Sequence, residues 1–192
     1  MSNAPDQAPA DRPEGAGNLI SGNVGDGLDV TGSGDQVLGN LIGTDATGTQ
    51  ALGNGGDGVF VSGGNNAVGG TADGAGNVIA FNGGDGVRVD TGTGNAVLSD
   101  AIFANGNLGI ELANHGNNDQ PSPALTSANQ DGPDTVVQGT LLAAANTTYT
   151  VQLFANPGDG SGAAEGQLIT ATATDGGNNT SAFSGPVVVM GG

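Results

Sequence analysis

The sequence predicts an all-β chain: a right-handed parallel β-helix of about four rungs, with three short strands per rung, followed by a small β-rich C-terminal region. Two observations carry this prediction. The sequence repeats with a period of about 22 residues, and each repeat holds three short apolar pieces separated by Gly, Asn and Asp. In addition, 39 of the 192 residues are Gly, spread without a period of three, which argues against collagen and against long helices.

The repeat has four copies, and the second is lengthened by an insertion at 44–50 and by the segment 70–76. The first piece of each copy is NLIS (18–21), NLIG (40–43), NVIA (77–80) and DAIF (100–103). The second piece is GLDV (27–30), GVFV (58–61), GVRV (86–89) and GIEL (109–112). The third piece is QVLG (36–39), NAVG (66–69) and AVLS (96–99). A coil of three strands that stacks on the next coil explains this period directly.

Stacking places equivalent residues of successive copies above one another, about 4.8 Å apart. The aliphatic residues then form columns inside the coil: Ile20, Ile42, Ile79 and Ile102 from the first strands, with Leu28, Val30, Val59, Val61, Val87, Val89, Ile110 and Leu112 from the second. A structural ladder of asparagines is expected at the turn before the second strand: Asn23, Asn54, Asn82 and Asn105. An Asn at this turn can adopt the left-handed backbone conformation and can hydrogen-bond to its neighbours above and below in the stack.

One outward column is a candidate ligand-binding face. It consists of Asp29, Phe60, Arg88 and Glu111, one from each copy. An exposed aromatic ring on such a face can stack on a sugar ring. Arg88 and Glu111 lie on neighbouring rungs and are expected to form a surface ion pair.

A second polar column is a candidate calcium site. It consists of the turn residues Asp26, Asp57 and Asp85. Calcium would convert the repulsion between stacked carboxylates into cohesion, whereas solvation of the three side chains would leave them simply tolerated. Calcium is the one possible cofactor, and none is required by the fold.

The charge excludes several partners. Nineteen acidic residues against two Arg and no Lys give a net charge of −17, so nucleic acid and anionic membrane surfaces would be repelled. No apolar run approaches 18 residues, which argues against membrane insertion. The absence of Cys excludes disulfides.

Residues 40–49 (NLIGTDATGT) and 69–79 (GGTADGAGNVI), together with the Gly-Asp-Gly-Val strands, resemble bacterial secreted proteins with right-handed parallel β-helix repeats, of the pectate-lyase-like superfamily. The resemblance covers residues 18–113 and implies a secreted or cell-surface location, although no signal peptide is recognised in this chain. It implies a fold and not one activity, because the superfamily includes enzymes, adhesins and non-catalytic modules.

The C-terminal region, 125–192, resembles a shortened form of the β-sandwich module that often follows such repeats. The likeness rests on three segments: 135–142, 148–156 and 170–183. Because Glu165-Gly166 runs almost directly into the next strand, four or five strands remain, which suit either a truncated sandwich or a cap on the last rung. Residues 1–17 are expected to be a disordered segment and 114–124 a linker.

Three functional hypotheses follow. The first is a non-catalytic structural or binding module that contacts glycans or cell surfaces and associates end to end through open strand edges. The second is a fragment of a polysaccharide-active enzyme: a lyase, epimerase or hydrolase. The candidate carboxylates Asp29 and Glu111 lie three rungs apart, about 14 Å, which is too far for paired acid–base work, and the basic residues near them are few. The third is a calcium-stabilised or ice-binding solenoid, the latter through Thr47/Thr49 and Thr91/Thr93.

Overall fold

The structure, a computed structural model, describes residues 17–132, 134–156 and 166–191. The expected disordered segment 1–17 therefore lies, except for Gly17, outside the described residues, and so does Glu165. The described chain is all-β apart from one short 3₁₀-helix, Gly116–Asp119. Within these ranges, no helix is long and apolar enough to cross a membrane.

The repeat region forms eleven short strands, which together make up what we call the solenoid. They are β1 (Leu19–Ile20), β2 (Leu28–Val30), β3 (Gln36–Val37), β4 (Leu41–Ile42), β5 (Val59–Val61), β6 (Ala67–Gly69), β7 (Val78–Ala80), β8 (Val87–Val89), β9 (Ala96–Leu98), β10 (Ala101–Phe103) and β11 (Ile110–Leu112). Each strand coincides with one of the apolar pieces of the sequence repeat. The inserted segment after β4 is closed by an antiparallel bridge between Thr44 and Ala51.

These strands form three parallel sheets, with the strand orders β1-β4-β7-β10, β2-β5-β8-β11 and β3-β6-β9. Neighbours in each sheet come from successive copies of the repeat, and the register matches equivalent residues, as in the column Ile20–Ile42–Ile79–Ile102. The architecture is therefore a β-helix-like solenoid of parallel strands, in agreement with the predicted fold class.

The hydrophobic core lies between the three sheets. In the middle copies, Ile42, Ile79, Val59 and Val87 are completely buried. The equivalent residues of the first and last copies, such as Ile20 and Ile102, are only partly buried. Burial thus decreases toward both ends of the stack, as expected when each copy is covered only by its neighbours.

Three ladders of side-chain amides run along the solenoid. In the predicted ladder, the backbone N–H and the side-chain amide of Asn54 both donate to Oδ1 of Asn82, at 3.2 and 2.8 Å. The complete ladders are Asn23–Asn54–Asn82–Asn105, Asn18–Asn40–Asn77–Asp100 and Asp35–Asn66–Asn95–Asn117. The third ladder was not predicted, although Asn66 and Asn95 stand directly before the third strand in the sequence.

The ladder asparagines do not adopt the left-handed backbone conformation that is open to Asn at such a turn. The positive φ lies one residue earlier, at Gly22 (72°), Phe81 (61°) and Ala104 (52°). This turn directs the following Asn side chain into the stack, where its amide bonds to the adjacent copies. The strained position is therefore not filled by Asn, even though Asn tolerates a positive φ better than Phe or Ala.

The C-terminal sheet consists of five strands, β12 (Ala124–Asp131), β13 (Asp134–Thr140), β14 (Tyr149–Asn156), β15 (Leu168–Asp175) and β16 (Val187–Met190), in the order β13-β12-β16-β15-β14. All neighbouring strands are antiparallel except β12 and β16, which are parallel. Ala128, Ile169 and Val189 form its buried cluster.

The segment that follows β15 contacts the last two copies of the solenoid. Oδ1 of Asn179 accepts the N–H of Gly94 at 2.7 Å, and Oγ1 of Thr180 accepts the N–H of Val97 at 3.0 Å. The ring of Phe183 packs against Gly109, where a Cβ atom would lie within 3 Å of it. Glycine is therefore required at this position for the contact to form.

Candidate functional site

The predicted calcium column is built into the backbone of the solenoid. Oδ1 of Asp26 accepts the N–H of Asp57 at 2.6 Å, and Oδ1 of Asp57 accepts the N–H of Asp85 at 2.7 Å. Oδ1 of Asp85 in turn accepts the N–H of Leu108 at 2.8 Å. Each carboxylate thus satisfies a backbone donor of the next copy, as a side-chain acceptor does at a turn.

The glycine before Asp57 belongs to the same arrangement. A side chain on Gly56 would occupy the position of the Asp26 carboxylate, and Gly84 stands in the same relation to Asp57. The Gly-Asp sequence of the repeat therefore has a structural explanation, because the absent side chain makes room for the carboxylate of the preceding copy.

Burial raises the pKa of Asp57, and the neighbouring carboxylates of Asp85 and Asp26 raise it further. Within the described ranges, no group of three or more His, Asp or Glu side chains is arranged to hold a metal ion. Calcium binding by Asp26, Asp57 and Asp85 consequently stays a prediction, and their backbone hydrogen bonds account for their presence without it.

The outward column predicted as a ligand-binding face is formed in register. Asp29 pairs with Phe60, Phe60 with Arg88, and Arg88 with Glu111. Asp29 is exposed, and the other three side chains are half-buried. The column therefore presents an accessible aromatic ring between an acidic and a basic side chain.

Arg88 holds two carboxylates at this face. Its guanidinium lies 3.0 Å from Oε2 of Glu111 and 3.2 Å from Oδ1 of Asp90. The pKa of Arg88 is raised, mainly by the hydrogen bond to Asp90. The side chain of Asn114 also donates to Asp90, at 2.9 Å. The ion pair between Arg88 and Glu111 was expected from the sequence, whereas the link to Asp90 was not.

Glu111 also lies near the Asp column. Burial raises its pKa, and the neighbouring carboxyl group of Asp85 raises it further. From the sequence, the turn column and the outward column were two separate predictions, and so the proximity of these two carboxyl groups was not predicted. The pair joins a turn residue of one copy to a strand residue of the next, and no spacing within a single copy reveals it.

Asp100 is a second carboxyl group with an altered titration. It occupies the ladder position that Asn18, Asn40 and Asn77 hold in the other copies, and it is 4% exposed. Its Oδ1 accepts two bonds from Asn77, at 2.7 and 2.8 Å. Burial raises its pKa to about 7 despite these bonds.

A cleft of about 840 Å³ separates the last copy of the solenoid from the C-terminal sheet. We refer to it below as the terminal cleft. Its lining residues on the solenoid side are Ser99–Asn105, Asn107 and Gly109, and those on the sheet side are Leu153, Phe154, Ala155, Thr170 and Phe183. Three of the five Phe residues of the chain, at 103, 154 and 183, line it. The cleft was not predicted from the sequence, because the residues that face one another across it belong to regions that are distant in the chain.

Two further polar groups lie at the surface. His115 is exposed and lies 2.6 Å from Asp119, which raises its pKa. Thr47 and Thr49, considered for ice binding, bond to each other in the inserted loop.

Comparison of the chain with protein-family models, with curated proteins and with solved structures finds no match in any of the three. The case for a function therefore depends on the geometry of the chain itself.

Proposed function

We propose that the chain is a right-handed parallel β-helix of four rungs, related to the secreted pectate-lyase-like repeat proteins, and that it serves as a non-catalytic structural and binding module. The strand orders of the three parallel sheets support the rung count, since two of the sheets take one strand from each of the four copies. Parallel strands joined through a crossover are nearly always connected in a right-handed sense. In this proposal the module belongs to a secreted or cell-surface protein and binds a glycan weakly.

The observation that carries the binding proposal is the in-register column Asp29–Phe60–Arg88–Glu111. A sugar ring can stack on the accessible face of Phe60. Its hydroxyl groups can then bond to Asp29 on one side and Arg88 on the other. The neighbouring strands lie about 4.8 Å apart, a spacing that allows adjacent groups of one saccharide to be contacted by successive copies.

A glycan array tests this proposal. The wild-type protein is expected to bind a subset of glycans, and Phe60→Ala to reduce that signal at least tenfold. Phe103→Ala is the matched control, because Phe103 is also a surface aromatic, 41% exposed, but lies on a different sheet. Absence of binding by the wild type, or equal loss in the two variants, would contradict the proposal.

The neighbouring carboxyl groups of Asp85 and Glu111 favour a second candidate, a polysaccharide-active enzyme. Of two neighbouring carboxyl groups, one can act as a general acid and the other as a base or nucleophile. A screen of oligosaccharides and polyuronates, read out by new reducing ends and unsaturated products, separates the two candidates. Turnover that is lost in Glu111→Gln would establish the enzyme and overturn the non-catalytic module.

Calcium stabilisation is tested by thermal melting in calcium and in chelator. If Asp26, Asp57 and Asp85 bind calcium, the melting temperature rises with the free ion concentration through linkage. If their role is confined to the backbone bonds described above, the two melting curves coincide.

A further inference from the structure

We propose that the terminal cleft binds an extended basic peptide, which adds a strand to the outer edge of β10. This surface is separate from the column around Phe60, and the inference does not depend on a glycan being bound there. It rests on the edge strand, on the aromatic walls of the cleft and on the charge of the chain.

The outer edge of β10 is available for strand pairing. β10 is the last strand of its sheet, and β7 is its one neighbour there. The N–H of Ala101 donates toward β7, to the carbonyl of Asn77 at 2.8 Å. Because backbone groups of alternate residues point to opposite sides of a strand, those of Ile102 point into the cleft. A peptide strand can bond to such an edge, as in recognition by β-augmentation.

The outer edge of β9, in the neighbouring sheet, is covered by side chains of the C-terminal region and serves as a comparison for the edge of β10. There, the N–H of Val97 is taken by Oγ1 of Thr180, and the N–H of Ser99 by Oε1 of Gln152 at 3.2 Å. The side-chain amide of Gln152 also donates to Oγ of Ser99 at 2.9 Å. The C-terminal sheet therefore covers β9 and, through this last pair, closes one end of the cleft beside β10.

The walls of the cleft suit apolar side chains of an extended peptide. Phe154 and Phe183 pack edge to face, with ring centroids 5.2 Å apart. Phe103 forms the same kind of contact with Phe81 at 5.6 Å, and it is 41% exposed. Side chains of a strand alternate between its two faces. One set would therefore contact Ile102 and Phe183, and the other set would lie beside Phe103.

The net charge of the chain indicates which charge the bound peptide should carry. With 19 acidic residues and two Arg, the protein carries a net charge of −17, which favours the approach of cations over that of anions. Lys or Arg residues flanking the apolar strand of the ligand would increase the rate of association, and high salt would reduce it. An extended peptide with an apolar centre and basic flanks fits both the cleft and this field.

The probe is the synthetic peptide KKNVIAFKK, whose centre copies the piece that already pairs with β10 from the other side, 77–81. Two N-methylated forms serve as matched controls, one methylated at the Val and Ala amides and the other at the Ile and Phe amides. Only one of these sets can face β10 in a paired strand. We expect titration calorimetry to give dissociation constants for the two forms that differ at least tenfold.

Protein variants locate the site. Phe103→Ala and Leu153→Ala are expected to weaken binding at least tenfold, while Leu19→Ala, on the opposite edge of the same sheet, leaves it unchanged. Leu19 and Leu153 have similar exposures, 49% and 53%, so the comparison is matched. Hydrogen exchange at the amide of Ile102 is expected to slow when the peptide is added.

Three outcomes would overturn the proposal. The first is that the peptide does not bind. The second is that the two methylated forms bind equally, which would indicate an apolar pocket without strand pairing. The third is that the protein self-associates without peptide and Phe103→Ala abolishes this association, which would make a second copy of the chain the occupant.

Discussion

The two ends of the solenoid differ in how far their strand edges and apolar residues are covered by other parts of the chain. At the first copy, the strands β1, β2 and β3 form the edges of their sheets, and Leu19 and Val24 are 49% and 98% exposed. At the opposite end, Thr180 bonds to the edge of β9, the last strand of its sheet, and Phe183 packs on the apolar core. The same repeat is therefore open at one end of the described chain and partly covered at the other, where the outer edge of β10 still faces the terminal cleft.

This difference shows how the ladders depend on their neighbours. Asn82, in the interior, accepts bonds from Asn54 and donates to Asn105. Asn23, in the first copy, donates to Asn54, but its side-chain oxygen accepts no bond from any residue in the described part of the chain. In a solenoid each copy is stabilised mainly by adjacent copies. At the covered end, the C-terminal sheet takes over part of the role that a further copy would have.

The largest effect is expected from pH, through Asp100 at the covered end. Its pKa is about 7 in the folded protein against an ordinary value of 3.8, so the folded state binds the proton more tightly than the unfolded state. The resulting stabilisation is complete below pH 3.8 and is lost as the pH rises through about 7. The difference corresponds to about 4 kcal/mol. Asp100→Asn, which restores the side chain of the other copies, is expected to remove this loss.

The measurement is urea unfolding of the wild type and of Asp100→Asn between pH 4 and pH 8. At pH 8 the variant is expected to be more stable by about 2 kcal/mol, since part of the gain is offset by the changed hydrogen bonding. Asp73→Asn, at an exposed aspartate, serves as control. Parallel curves for wild type and Asp100→Asn over this range would contradict the prediction.

Removal of the aromatic contact at the covered end comes next. Phe183→Ala deletes a ring that packs on Gly109 and on the solenoid core, and the free energy of unfolding is expected to fall by about 3 kcal/mol. Leu19→Ala at the open end removes an exposed side chain and is expected to cost less than about 0.5 kcal/mol. Equal losses in urea denaturation would show that the C-terminal sheet does not stabilise the solenoid.

The ladders provide a graded comparison along the stack. Asn82→Ala leaves buried donors of the neighbouring copies without an acceptor, which is expected to cost about 2 kcal/mol. Asn23→Ala removes the donor at the open end and is expected to cost about 1 kcal/mol or less. Chemical denaturation of both variants measures the difference. A larger loss for Asn23→Ala would reverse the assigned order.

The repeat was sufficient to predict the strands, their register and the polar columns, because each follows from equivalent residues being stacked. Asn23, Asn54, Asn82 and Asn105 lie where the period places them. The same period could not locate the positive φ at Phe81, since sequence preferences favour Asn or Gly for such a backbone. At Phe81, packing and hydrogen bonding in the stack outweigh the intrinsic backbone preference of the residue.

The parts of the candidate sites that were missed involve contacts between different columns or different regions. The carboxyl groups of Asp85 and Glu111 are neighbours although one lies in a turn and the other in a strand of the next copy, and the terminal cleft lies between β10 and the C-terminal sheet. A periodic alignment compares each position only with its equivalents. Contacts of this kind depend on side-chain direction and on how the C-terminal sheet is placed, neither of which the repeat specifies.

The smallest expected effect concerns the ion pair near the covered end. Arg88 lies 3.0 Å from Glu111, with side chains that are 34% and 32% exposed, whereas the equivalent neighbours at the open end, Asp29 and Phe60, form no ion pair. A double-mutant cycle with Arg88→Met and Glu111→Gln is expected to give a coupling of about 0.5 kcal/mol. The coupling should fall further in 1 M salt, because partly exposed charges are screened. A coupling above about 2 kcal/mol would instead show that the pair is desolvated, and that the covered end is stabilised by charge as well as by packing.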